Sequence, residues 1–237
     1  SHVIVVFLPG ACADVTQVDN LSPYAPPSGE RWAEIVGGKV GAEALKVLLS
    51  APRGQVKPLA ALSKVIKVRR RRPSREHLDQ AWRIIKAGPK RAGHTTWVFA
   101  KEKILLDALI LRSPESEVEI QALQVGPVLF IANPAELFCE LGLRIKGRSP
   151  FPLTFPVTLA NGCVGYVPTK EAFGPNGGGY ETRLTGYSNL DIGCGELIVK
   201  ISLELAHRLK PGKLPSRPKA RAFRGPWSYG NVPPEVD

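Results

Sequence analysis

The sequence contains no methionine, only four histidines and four cysteines, and no apolar run long enough to cross a bilayer. Each shortage excludes something. Cys12, Cys139, Cys163 and Cys194 form no C-x-x-C pair and no Cys/His spacing of the structural-zinc kind, so they are expected as buried free thiols rather than as a metal knot or a disulfide framework. His77, His94 and His207 fall in segments that read as helices, where they are expected as surface or capping groups, and His2 beside Ser1 reads as a tag remnant. No histidine is therefore nominated as a ligand. Ordinary composition supplies roughly five methionines at this length, and a chance absence is on the order of 1%. The expectation is that the native protein carries methionines this sequence lacks, with an intact mass above 25.7 kDa by multiples of that residue.

What is present is a chain of 237 residues, 43% hydrophobic and 22% charged, which is enough to bury a sizeable core. The formal net charge of +11 attracts phosphates, anionic lipid headgroups or nucleic acid without choosing among them. The strongest single-sign cluster is Lys67-Val68-Arg69-Arg70-Arg71-Arg72 with Arg75. It reads as a solvated strand edge giving a salt-sensitive attraction to an anionic membrane surface. No interleaved aromatics and no nucleic-acid motif accompany it, which speaks against nucleic acid as the partner.

Along the chain, Val3 to Phe7 reads as a buried strand running into the Pro9-Gly10 loop, and Gly29 to Leu49 as a helix. Leu62 to Arg70 alternates as a strand, Ser74 caps a helix through Lys86, and His94 to Leu111 reads as another helix. Glu117 to Gln124 and Val128 to Ala132 form a hairpin about Gly126-Pro127. Asn133-Pro134 is expected to open a helix to Lys146, followed by a strand at Phe155 to Leu159. A long glycine-rich loop then runs from Asn161 to Gly195, and Gly195 to Leu209 forms an amphipathic helix. The reading is an α/β fold: a mixed β-sheet with flanking helices and long glycine-rich loops over residues 1–209, and a Pro-rich basic tail over 210–237. Val3–Phe7, Val128–Ala132 and Phe155–Leu159 are expected as neighbouring strands whose following loops converge.

Two segments carry a distinctive signature. The first is Asn133-Pro134-Ala135-Glu136-Leu137-Phe138, where the expected helix start would put the Glu136 carboxylate in a first turn favoured by the helix dipole. The second is Asn161-Gly162-Cys163-Val164-Gly165-Tyr166-Val167-Pro168-Thr169 with Gly177-Gly178-Gly179-Tyr180-Glu181 downstream. A tyrosine on such a loop either packs its ring and bonds a carbonyl or serves a site. Together with Ser149-Pro150-Phe151 and Ala13-Asp14-Val15-Thr16, this order resembles the neutral and alkaline ceramidases and their bacterial relatives, in the downstream half of their catalytic domain.

The resemblance implies a zinc-dependent hydrolase of N-acyl amide bonds in ceramide or a related lipid, in a secreted or periplasmic setting. It implies zinc held by two histidines, a glutamate and a tyrosine, of which the last two fall on Glu136 and Tyr166. Zinc accepts such ligands and lowers the pKa of a bound water towards ~7. The resemblance further implies catalytic roles for Asp14 and Thr16 and substrate binding by Asn161, Gly162 and Tyr180. Thr16 stands where ceramidases carry a serine, and Ala13 where they carry glycine. The two histidines lie upstream in the family, so this chain is expected to bind zinc weakly or not at all and to be an incomplete form of the enzyme. The alternatives are a noncatalytic relative that keeps the fold without the metal, or a basic protein that binds an anionic surface or nucleic acid.

Overall fold

The computed structural model describes residues 4–19, 21–23, 28–51, 56–215 and 234–237. In chain order the elements are α1 (Glu30–Ser50), β1 (Leu59–Arg69), α2 (Arg75–Ala92), α3 (His94–Arg112), β2 (Glu115–Val125), β3 (Val128–Ala132), β4 (Ala135–Leu137), α4 (Cys139–Arg148), β5 (Leu153–Val157), β6 (Gly165–Val167) and α5 (Cys194–His207). Short 3-10 turns lie at Glu171–Phe173 and Tyr180–Thr182. The fold is α/β with a mixed sheet, as the interleaved periodicities predict.

The clean alternation of residues 115–125 builds the centre. β1 and β2 pair antiparallel along their whole lengths, from Leu59 opposite Val125 to Arg69 opposite Glu115. The two-residue turn at Gly126 returns β3 antiparallel to β2, and β5 lies parallel to β3, giving the order β1-β2-β3-β5. A side-chain period of two then sends Val118, Ile120, Leu129 and Ile131 to one face, where they are fully buried against Leu141 and Ile145 of α4 and Ile198 and Leu205 of α5. Each such side chain contributes up to about 2–3 kcal/mol of burial. The opposite face carries Ala61, Leu123, Phe130 and Phe155 in one cross-strand row. Phe130 and Phe155 stack at 5.8 Å, yet Leu123 and Phe155 remain 39% and 44% exposed.

Between β1 and β2 the chain makes a helical hairpin of α2 and α3. Ser74 caps α2 by accepting from the His77 N–H at 3.2 Å, as predicted. Gly88, at φ 78°, breaks the helix before Pro89, and Gly93, at φ 80°, turns the chain into α3. α1 forms near its expected range but buries no residue.

Three expectations are corrected. Ile4–Phe7 is not a strand; its side chains are 70–87% exposed, because the chain first meets the sheet at Pro9, whose carbonyl accepts from the Thr158 N–H at 3.0 Å. Val3 lies outside the described residues. The second concerns Asn133-Pro134, which opens no helix. The fully buried Asn133 accepts from the Ala135 N–H at 3.1 Å, and this local turn sends the chain into β4. The third concerns the cysteines: all four are free, but only Cys194 is buried, where loss of solvent pushes its thiol up to about 12. Most of the basic tail, 216–233, lies outside the described residues.

Candidate functional site

β4 and β6 are three residues each, and their parallel pairing places Ala135, Glu136 and Leu137 opposite Gly165, Tyr166 and Val167. Glu136 and Tyr166, thirty positions apart in sequence, are thus direct register partners. Alternation buries Ala135 and Leu137 completely and leaves the two polar side chains half-buried on the other face. Glu136 consequently stands on a strand and not in a first helical turn; α4 begins three residues later, at Cys139.

The Tyr166 phenol lies beside the Glu136 carboxylate and Tyr180. Burial first, then these two contacts, hold its phenol far above the usual tyrosine range, so it keeps its proton. Tyr180 meets the Tyr166 ring edge-on at 5.4 Å and Tyr187 does so at 6.3 Å. The Tyr180 and Tyr187 rings thus pack against the tyrosine of the pair.

Gly165 explains why the signature needs glycine at that point. It has φ 80°, and a Cβ there would overlap the Tyr187 carbonyl. The same carbonyl accepts the Tyr166 N–H at 2.8 Å, so the backbone of residues 165–166 lies flat on that of Tyr187. Asn161 (φ 61°) and Gly162 (φ 154°) form the turn before β6; Gly162 sits over Pro134, and Val164 donates to the Pro134 carbonyl at 2.9 Å. They brace β4 from behind.

Asp14 and Thr16 have different surroundings. The Asp14 carboxylate accepts the Cys139 N–H at 2.6 Å, so it caps α4, and it lines a pocket of about 560 Å³ with Glu140, Arg144, Thr169, Glu171 and Asn176. The Thr16 hydroxyl has local partners, Gln17 and the Val18 N–H, and is exposed. The geometry thus joins Glu136, Tyr166 and Tyr180; it sets Asp14 at the start of the helix after Glu136; it does not join Thr16 to them. His77, His94 and His207 are exposed, and His2 lies outside the described residues.

Sequence reasoning missed the support of this site. Arg71 donates to the carbonyls of Leu190 (2.9 Å), Ser188 (3.2 Å) and Thr182 (3.4 Å), and its guanidinium lies 4.7 Å from the Phe173 ring centroid. Arg70 reaches the Asn189 side chain at 2.6 Å and the Ser113 carbonyl at 3.1 Å. Asn189, fully buried, in turn donates to the carbonyls of Thr185 and Gly186. These contacts shape the loop that carries Tyr187. The cluster expected as a solvated edge is therefore divided: Arg70 and Arg71 are half-buried clamps, with guanidinium pKa values lowered chiefly by desolvation, and Arg72 is an exposed partner of Asp107 at 3.1 Å. The asparagine–leucine–aspartate turn at 189–191 was the signal available in the sequence.

No family profile matches the chain, and no curated protein matches it. Among solved structures it is similar to the neutral ceramidase from Pseudomonas aeruginosa, with 14% identity over 84% of this chain and a TM-score of 0.48. The chain spans 37% of the length of that protein.

Glu136 and Tyr166 present two oxygens of a kind zinc accepts, and among the described residues no three His, Cys, Asp or Glu side chains cluster as a metal site.

Proposed function

We propose that this chain is part of a zinc-dependent N-acyl amide hydrolase of the neutral ceramidase type, to which it contributes Glu136 and Tyr166 as two of four metal ligands. One observation supports the reading most: two residues nominated by separate sequence motifs are brought side by side as register partners of a parallel strand pair. In this reading Asn161, Gly162 and Tyr180 serve substrate binding, Tyr180 lying edge-on to Tyr166, and Asp14 holds the helix that follows Glu136. The remaining two ligands are histidines supplied from outside this sequence, in a protein exported to a secreted or periplasmic setting.

Zinc competition against a chromophoric chelator tests the proposal. This chain alone is expected to bind weakly, since each absent ligand removes both affinity and preorganisation. A longer protein bearing two upstream histidines is expected to bind one zinc and to hydrolyse an N-acyl amide, and Glu136→Gln to abolish both. Full zinc occupancy with unchanged turnover in that variant would overturn the assignment. A noncatalytic relative is the second reading, favoured by the burial that raises the Tyr166 pKa and keeps its hydroxyl protonated.

A further inference from the structure

With Arg70 and Arg71 committed to carbonyls inside the fold, the free positive charge of the protein lies elsewhere. From Gln80 to Lys101 the sequence has no acidic residue and five permanent cations: Arg83, Lys86, Lys90, Arg91 and Lys101. These residues form the far half of the α2–α3 hairpin and its tip. All five are exposed, and among the described residues none has a carboxylate partner. A Cβ added at Gly88 or Gly93 would meet nothing within 4 Å, so the tip stands in open space. Trp82, 49% exposed, lies one helical turn before Lys86 on the same face, and Lys101 lies 4.5 Å over the Trp97 ring.

We infer that the α2–α3 hairpin tip is a docking surface for an anionic lipid bilayer. Charge complementarity supplies the attraction, since each cation near an anionic leaflet adds to binding and is screened by salt. The half-exposed indole beside the cations suits the headgroup layer, where tryptophan is favoured. Duplex nucleic acid fits less well, because the cations are spread over two antiparallel helices and a half-exposed indole gains nothing from a phosphate backbone. In the first half of α3 the hairpin is tied to the loop beside Tyr166: Arg183 stacks 3.5 Å over Phe99, and Glu102 accepts the Gly186 N–H at 3.0 Å. A docked hairpin therefore brings that loop to the bilayer surface. The surface stands independently of any metal or amide chemistry.

The test is co-sedimentation of the full chain with vesicles of phosphatidylcholine alone or mixed with phosphatidylglycerol, at low and high salt. Binding is expected only to the anionic vesicles and is expected to be lost at high salt. The triple variant Lys86→Gln, Lys90→Gln, Arg91→Gln is expected to lose at least about tenfold in affinity. A charge-matched control, Lys39→Gln, Lys146→Gln, Lys200→Gln, is expected to stay within about twofold. Because the three tip cations have no partners, the melting temperature should not move, which separates lost docking from lost folding. Equal losses in both triple variants would reduce the effect to net charge and overturn the inference, as would unchanged binding of the tip variant or tighter retention on duplex DNA than on anionic vesicles at equal salt.

Discussion

Replacing Arg71 with glutamine is the sharpest test of how this fold holds its site. The guanidinium serves three carbonyls of one loop, at 2.9, 3.2 and 3.4 Å, and faces the Phe173 ring at 4.7 Å. A hydrogen bond to a charged donor contributes about 1.5–3 kcal/mol, the longest of the three much less, and the cation–ring contact about 0.5–1 kcal/mol. Against this stands the desolvation that lowers the pKa of Arg71, so the net loss is about 2–4 kcal/mol. For a domain of this size that is a fall in melting temperature of roughly 5–15 °C. Lysine should not rescue, because a point charge cannot fork to three acceptors. Arg72→Gln is the internal control: its partner Asp107 forms a solvent-exposed pair, expected to contribute less than about 1 kcal/mol. Differential scanning calorimetry decides the matter. If Arg71→Gln melts within about 2 °C of the parent, the clamp described here does not hold the loop.

Other consequences can be measured with equal directness. Gly165→Ala forces a Cβ into the Tyr187 carbonyl at a positive φ and should cost more than about 3 kcal/mol, read by chemical denaturation, whereas Gly147→Ala, with open space around it, should be nearly neutral. Because the folded-state pKa of Tyr166 is raised, the unfolded chain gives up this proton first; stability is fully present below about pH 10 and falls as pH rises beyond it. Tyr166→Phe should therefore flatten the alkaline limb of a pH–melting curve, and an unaltered limb would contradict the buried phenol. The Glu196 carboxyl is held low chiefly by its paired hydrogen bonds with Arg144, linking α5 to α4, so its contribution is present above about pH 4.5 and lost as pH falls below it. Glu196→Gln should lower stability at neutral pH by about 1 kcal/mol and shrink the acid-side decline, as followed by circular dichroism.

What the sequence determined by itself was whatever depends on neighbours along the chain. The alternation of 115–125, the Gly126 turn, the Ser74 cap and the apolar stripe of α5 are local patterns with one physical outcome each, and those elements stand where they were expected. Glu136, Tyr166 and Tyr180 were legible as candidates because their glycine-rich surroundings are distinctive. Their grouping was not: only the pairing of β4 with β6 makes Glu136 and Tyr166 partners, and a strand of three residues beside a buried asparagine looks like a helix start when read alone. The apolar run at Ile4–Phe7 shows the converse, since hydrophobicity nominates a strand, yet the run pairs with no strand of the sheet and stays exposed. The arginine cluster shows why charge is the least legible feature. Arg69, Arg70, Arg71 and Arg72 are identical as residues, and which of them meets water and which meets carbonyls is decided by a loop more than 110 positions away, through the tertiary contacts of Asn189 and Leu190.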